Sequence, residues 1–318
     1  MKLIWNHMLQ SIIMGAILPG MMFSTGSNAA QPVEPPIQEV QEAPAPVYIP
    51  VLKSDGQIHS MNLEDYIGRV VLGEMPASFE TEALKAQAVA ARTYTLRCVL
   101  EGDRHPEGAV CTDYRCCQAY REPEEYLQSG GSRENVDKVL GAAAGTAGEV
   151  ICYEGELIYA TYFASSGGIT EDACEVWGQS FPYLVSVSSP DEQDTAYHGE
   201  QKTFTAAEFQ QLLGVTLNGS PEIWFGKVRY TVGGGVDAMR IGARLYSGLE
   251  LRRIFGLRST IFTVTTTQDS VTFETKGYGH RVGMSQYGAD AMAVAGHSYD
   301  EILAHYYNGT SIEQYRGD

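Results

Sequence analysis

The apolar positions of this chain change their period as it runs. In "HSMNLEDYIGRVVLGEM", Leu63, Tyr66, Ile67, Val70 and Val71 recur three and four apart, the spacing of one helix face. Asn62 stands at the cap, Asp65 at the third position of a capping box, and Pro76 stops the segment. A second helix is predicted from about Glu80 to Leu100, with Ser78 or Thr81 near its cap and Leu84, Ala88, Ala91, Thr95 and Cys98 on its packed face. A third covers Glu134 to Ala144. The period then falls to two: Val150 to Tyr153 and Leu157 to Phe163 alternate around Glu154-Gly155-Glu156, a hairpin signal. Strand-like stretches, Phe225 to Val232 and Ile261 to Phe273, flank "SGLELRRIFGL", whose period is helical. Near the end Ser285 can cap a helix over Gln286 to Val294, and "SYDEILAHYYNG" supplies the last helix, ended by Asn308-Gly309. Helices and strands are interspersed without a regular strand-helix-strand rhythm, so the expected class is α+β, and no internal repeat is present.

The N-terminal part follows neither period. An apolar run from Met8 to Phe23, interrupted by Pro19, is shorter than the ~20 apolar residues of a bilayer span. Small residues follow, and Ser27 and Ala29 suit a signal-peptidase site. A cleaved signal and a retained membrane anchor are both open readings, and either puts the remainder outside the cytoplasm. Residues 31–50 are rich in Pro, Gln, Glu and Ala, a composition for a semi-rigid tether rather than a packed core. The expected division is therefore 1–30 anchor or signal, 31–50 linker, and 51–318 folded part, long enough for one sizeable core or two smaller ones in contact. With 22 Lys plus Arg against 39 Asp plus Glu, the net charge of -17 repels a phosphate backbone, which excludes nucleic acid as a partner.

Candidate chemistry sits in four places. Glu74 lies in the last turn of the first predicted helix, where the backbone partial charge disfavours a carboxylate, and the next helix starts close enough to strip water from it. Both effects raise a carboxyl pKa, as a general acid for glycosidic bond cleavage requires; a solvated surface acid is the bland alternative. In "DRHPEGAVCTDYRCCQAYR", His105, Cys111 and Cys117, with Cys116 alongside, can close on a tetrahedral Zn2+, while a Cys111–Cys117 disulfide is the other reading. Cys98, Cys152 and Cys174 are expected to be small core residues. "YFASSGGITEDACEVWG" and the glycine-rich "TKGYGHRVGMSQYGADAM" combine tight turns with hydroxyl, amide and aromatic side chains suited to a sugar cleft. A serine hydrolase through Ser166 and His280 lacks the glycine pattern of a nucleophile elbow.

Together, "VVLGEMPASFETEALKAQAVAARTYTL", "YFASSGGIT", "WG" with "YL", and "GYGHRVGMSQYGADAMA" followed by "HYYNGT" resemble the stage II sporulation protein D family, which shares its domain with amidase enhancers. The resemblance runs from about Leu52 to Ile312. It implies a membrane-tethered peptidoglycan lytic transglycosylase on the mother-cell side of the engulfing septum, with Glu74 as catalytic acid and the Cys loop as a zinc site, expected to be structural. It also implies glycan strands as substrate, with other engulfment proteins and an amidase as partners. Lys85, Gln87, Arg92, Ser166, His280, Gln286 and Tyr287 are the candidates for gripping the glycan. Lys85 and Arg92 share a helix face, as do Gln87 and Tyr94. Many family members carry Gly where Arg281 stands. A wall-binding module that stimulates an amidase without chemistry of its own is the rival reading, and a zinc hydrolase centred on the Cys loop lacks a helical His-Glu pair.

Overall fold

A computed structural model describes residues 46–189, 192, 197–315 and 317. The run from Met8 to Phe23 and most of the expected linker lie outside these residues. Among those described, no helix is long and apolar enough to cross a membrane.

The folded part begins before Val51, inside the expected linker. Strand β1 (Tyr48–Leu52) pairs antiparallel with β2 (Ile58–Asn62), with Ile49 and Val51 buried. Strand β3 (Val110–Cys111) joins the other side of β1 only at Val51 and Leu52, so Pro50 interrupts no ladder there. Asn62 then caps α1 (Leu63–Glu74) as expected, its side chain accepting from the Glu64 and Asp65 amides. Helix α2 (Thr81–Glu101) has no side-chain cap. Its packing departs from the single face predicted. Ala83, Ala86, Ala88, Ala90 and Ala91 are all buried, on several sides of the helix, because neighbours surround it. The short α3 (Pro123–Gln128) leads into α4 (Arg133–Ala144), which packs on both α1 and α2.

The predicted hairpin is half present. Strand β4 (Glu149–Tyr153) pairs with β5 (Glu156–Leu157), but beyond Leu157 the chain leaves it, and β6 (Tyr162–Phe163) runs parallel to a late strand, β13 (Met284–Ser285). Alternation could not distinguish these, since Ile158 and Ala160 are buried in a segment crossing the core. After the short helix α5 (Ala173–Trp177) the chain enters a second region with its own core. Strand β7 (His198–Thr205) and helix α6 (Ala206–Leu213) precede β8 (Phe225–Tyr230), β9 (Val236–Ile241) and β10 (Arg244–Ser247). Helix α7 (Gly248–Phe255), β11 (Ile261–Thr266) and β12 (Ser270–Lys276) complete it. Two antiparallel sheets, β10-β9-β8 and β11-β12-β7, enclose stacked aromatic rings: Phe209 lies on Phe255 with centroids 4.8 Å apart, and Phe255 is 4.8 Å from Phe273. The stretch predicted as one strand from Ile261 to Phe273 is two, β11 and β12. The region closes where it opened, with the Gly277 amide donating to the Tyr197 carbonyl at 2.9 Å.

The last elements return to the first core. Ser285 caps α8 (Gln286–Val294) through the Gly288 amide, and Ser298 and Glu301 form the capping box of α9 (Tyr299–Tyr306). Strand β14 (Ser311–Gln314) then pairs with β4. The class is α+β, with small sheets around a helical centre.

Arg281 ties the two regions. It is fully buried at φ 68, a left-handed conformation that glycine adopts freely. Its guanidinium donates to the carbonyls of Ser166 and Ile169, each at 3.0 Å, to the Gly233 carbonyl, and to Thr260 Oγ1 at 3.3 Å. Buried Glu171, 3.5 Å away, supplies the countercharge and accepts from Thr231 Oγ1 and the Gly233 amide. Stripping one partner from such a buried pair costs about 3–5 kcal/mol, so this arginine holds the joint rather than the cleft.

Candidate active site

Glu74 ends α1, and the chain that meets it comes from the Cys loop. Gly73 makes the approach possible: a Cβ there would lie 2.8 Å from the Tyr120 nitrogen. The backbone at 118–120 can therefore press against the helix end, and the Ala119 amide donates to Glu74 Oε1 at 2.6 Å. Gln286 Nε2 reaches Oε2 at 3.4 Å and also donates to Gln87 Oε1 at 3.3 Å. Half-buried Tyr162 stands close by, its hydroxyl donating to Gln118 Oε1 at 2.7 Å, and Gln118 Nε2 donates to Thr95 Oγ1 at 2.8 Å. Among the described residues no cation is bonded to the carboxyl. Loss of water raises the Glu74 pKa above its ordinary value of 4.5, and the bonds from Ala119, Gln286 and Tyr162 oppose the rise without cancelling it.

Glu74 faces a cleft of 1120 Å³ lined from one side by Tyr94, Arg104 and Cys117 and from the other by Trp177, Tyr278 and His280. His280 lines the cleft with its ring against Phe163, centroids 5.6 Å apart, and its Nδ1 accepts from the Val282 amide. Burial, with the nearby positive charge of Arg252, lowers its pKa to about 4, so the imidazole is neutral near pH 7. Gln286 and Tyr287 also line the cleft, Tyr287 packing edge-on against Phe79 and Tyr197.

The other glycan-gripping candidates lie elsewhere. Arg92 is fully buried behind α2, its Nε and Nη2 on Glu64 at 2.9 and 2.6 Å and its Nη1 on the Glu149 carbonyl at 3.0 Å. It clamps α1, α2 and β4 together. Lys85 shares that face as its spacing predicted, but the face turns toward Glu82, bonded at 2.7 Å, and the Tyr299 ring. Gln87 is sealed off from solvent, and its contribution is the contact to Gln286; its own Nε2 has no partner. Ser166 is equally inaccessible: its hydroxyl and amide donate to Glu192, which also accepts from Ser165, Ser189 and Ser285 hydroxyls. That network removes the serine-hydrolase alternative, since the Ser166 proton is committed to a buried carboxylate and His280 is elsewhere engaged. Glu192 escaped sequence reasoning because its serine partners are scattered through the chain.

His105, Cys111, Cys116 and Cys117 bring their donor atoms within 4.8 Å of one another, with His105 Nε2 3.3 Å from Cys116 Sγ and 3.5 Å from Cys117 Sγ. A tetrahedral site with Zn–S bonds of about 2.3 Å has donor separations of about 3.5–4 Å, so the set fits the ion. No disulfide joins Cys111 to Cys117. Cys98 and Cys152 are buried as expected, whereas Cys174 is exposed on α5.

The sequence profile of a family described as Stage II sporulation protein matches residues 53–153. Stage II sporulation protein D of Bacillus subtilis (strain 168) is 40% identical over 276 residues, covering 85% of this chain and 80% of that protein. Its counterpart in Bacillus amyloliquefaciens is 38% identical over 286 residues, covering 88% and 81%. An amidase enhancer of Bacillus subtilis (strain 168) is 33% identical over 299 residues, covering 77% of this chain and 40% of that protein.

The raised Glu74 pKa carries a stability consequence. The folded state keeps a proton that the unfolded chain releases, so this stabilisation is complete below about pH 4.5 and is lost as pH rises through the folded pKa. Glu74→Gln keeps the shape without the charge. At pH 8 it should melt above the parent, and the gap should close toward pH 4. Equal melting temperatures at both pH values would show that Glu74 titrates normally.

Proposed function

Because the chain belongs to the stage II sporulation protein D family, we propose that it is a peptidoglycan lytic transglycosylase, cutting the MurNAc–GlcNAc bond of wall glycan during forespore engulfment. The observation that carries this reading is Glu74: a carboxyl with a raised pKa and no cation bonded to it among the described residues, facing a cleft large enough for sugar rings. Protonated Glu74 donates to the glycosidic oxygen as the C1–O bond breaks, releasing the GlcNAc hydroxyl. The MurNAc 6-hydroxyl then closes on C1, and its proton returns to the Glu74 carboxylate. The product is a 1,6-anhydro end, and the acid is restored. The Ala119 amide supports the first half of the cycle, since it bonds the carboxylate left by proton transfer more strongly than the neutral acid.

Zinc belongs to this proposal as a structural ion held by His105, Cys111 and Cys117, with Cys116 within reach of a fourth position. It would cross-link the loop whose end carries the Ala119 amide. The N-terminal run belongs to it as an uncleaved anchor, with the tether confining the cleft to wall near its own membrane. The amidase enhancer among the relatives supports a second reading, a wall-binding module acting on an amidase. Such a module does not need the proton of Glu74.

Purified protein should therefore release anhydro-ended muropeptides from glycan strands, and Glu74→Gln should lose this release by at least about a hundredfold, the lower range for a general acid, while still binding wall. Full release by the Gln variant would move the acid elsewhere; binding with no release by either protein would favour the amidase-stimulating module. Elemental analysis should find about one Zn2+ per chain, lost with a lowered melting temperature in Cys111→Ser or Cys117→Ser. A disulfide at these positions and no metal would exclude the ion. For the anchor, N-terminal sequencing of membrane and soluble fractions decides: a soluble chain beginning at Ala30 would rule it out.

A further inference from the structure

Trp177 and Gly178 form a motif to which the proposed chemistry gives no task. The indole ends the five-residue α5, where Asp172 caps the Cys174 amide and left-handed Gly178 returns its amide to the Cys174 carbonyl. These two caps fix a helix too short to hold itself in water. They present a large apolar ring that is 44% exposed, yet on the cleft rather than on the outer surface. One side of the ring meets His280, with centroids 5.5 Å apart and planes at 51°, and His280 rests in turn on Phe163. The backing is therefore three rings deep. It is also uncharged near neutral pH, since burial keeps the imidazole unprotonated.

Tyr162 of β6 stands beside Glu74, and Phe163, on which the aromatic ledge rests, is the next residue of that strand. A half-exposed, rigidly backed indole offers a flat apolar face without charge. That face matches the C–H side of a pyranose ring, which is apolar while its hydroxyls point outward; a charged peptide would gain little from it.

We propose that Trp177 is a sugar-stacking subsite of the cleft, carrying one ring of the glycan strand and so aligning the strand across Glu74. The identity of the ligand rests on the proposed action on glycan; the platform itself rests on ring geometry and exposure. Tyr278, 40% exposed on the same wall and packed on Tyr197 at 5.2 Å, extends the ledge.

The test uses the full chain in detergent with Glu74→Gln present throughout, so that binding is read without turnover, and peptide-free glycan strands of alternating GlcNAc and MurNAc as the probe. Adding Trp177→Ala should weaken binding by about tenfold or more, the factor that 1.4 kcal/mol represents, whereas Trp177→Phe should stay within about threefold and both should melt as the background protein does. With Trp5→Phe present throughout, glycan should also change tryptophan emission in the background protein and leave it unchanged in Trp177→Phe, since the remaining Trp224 is buried. Undiminished binding by Trp177→Ala overturns the subsite, as does failure of the strands to bind the background protein at all. If strands bind through Trp177 but the Glu74 enzyme never forms anhydro ends, the platform stands and the transglycosylase reading falls.

Discussion

The fold depends on the slenderness of α2. A helix packed on one side can carry large residues there and charge on the other, but this one is enclosed by α1, α4, α8, α9 and β4. Only small side chains let so many neighbours reach one axis, which is why alanine recurs at 83, 86, 88, 90 and 91. The single long cation within this shell, Arg92, is admitted because Glu64 and the Glu149 carbonyl take its donors. An added methylene at an alanine position would push on elements that hold the cleft from different directions.

Glu74 is held by the same economy of space. Its carboxyl is dry because α1 ends against the segment that follows the Cys loop, and that contact exists because residue 73 has no side chain. Two opposed effects then act on one proton: burial favours the acid, and the Ala119, Gln286 and Tyr162 donors favour the carboxylate. In the proposed role, where Glu74 would give and regain a proton, such balance is of use, since neither form is trapped. The loop bearing His105, Cys111 and Cys117 ends two residues before the Ala119 amide, so the order of that loop and the setting of the acid share one piece of backbone.

The sequence made the helices legible because their caps and apolar periods are local. Asn62, Ser285 and Ser298 stand where their helices begin, and the burial of Glu74 could be anticipated from its place between two of them. The Cys loop was legible for the same reason, its donors lying within thirteen residues of chain numbered 105–117. What escaped was non-local. Arg92 and Lys85 share a face, but periodicity says nothing about which neighbour that face meets, and it proved to be away from the cleft. Ser166 looked available because its buried partner, Glu192, lies 26 residues further along. Strand β6 read as part of a hairpin because a short apolar run alternates equally well whether it pairs nearby or with β13 across the core. Arg281 is the buried link between the cores, and nothing local in the sequence marks its partners Glu171 and Gly233.

The aromatic second core leaves and re-enters the chain at a single doorway, where Lys276 pairs with His198 and Gly277 bonds to Tyr197. A segment whose two ends meet imposes no distance constraint on the structure it departs from. Natural variation can lengthen, shorten or replace it without rerouting the helices around α2, provided the contacts made through Arg281 are met in another way. Evolution thus has a replaceable cartridge set beside a fixed cleft, and new partners can be tried on the one without rebuilding the other.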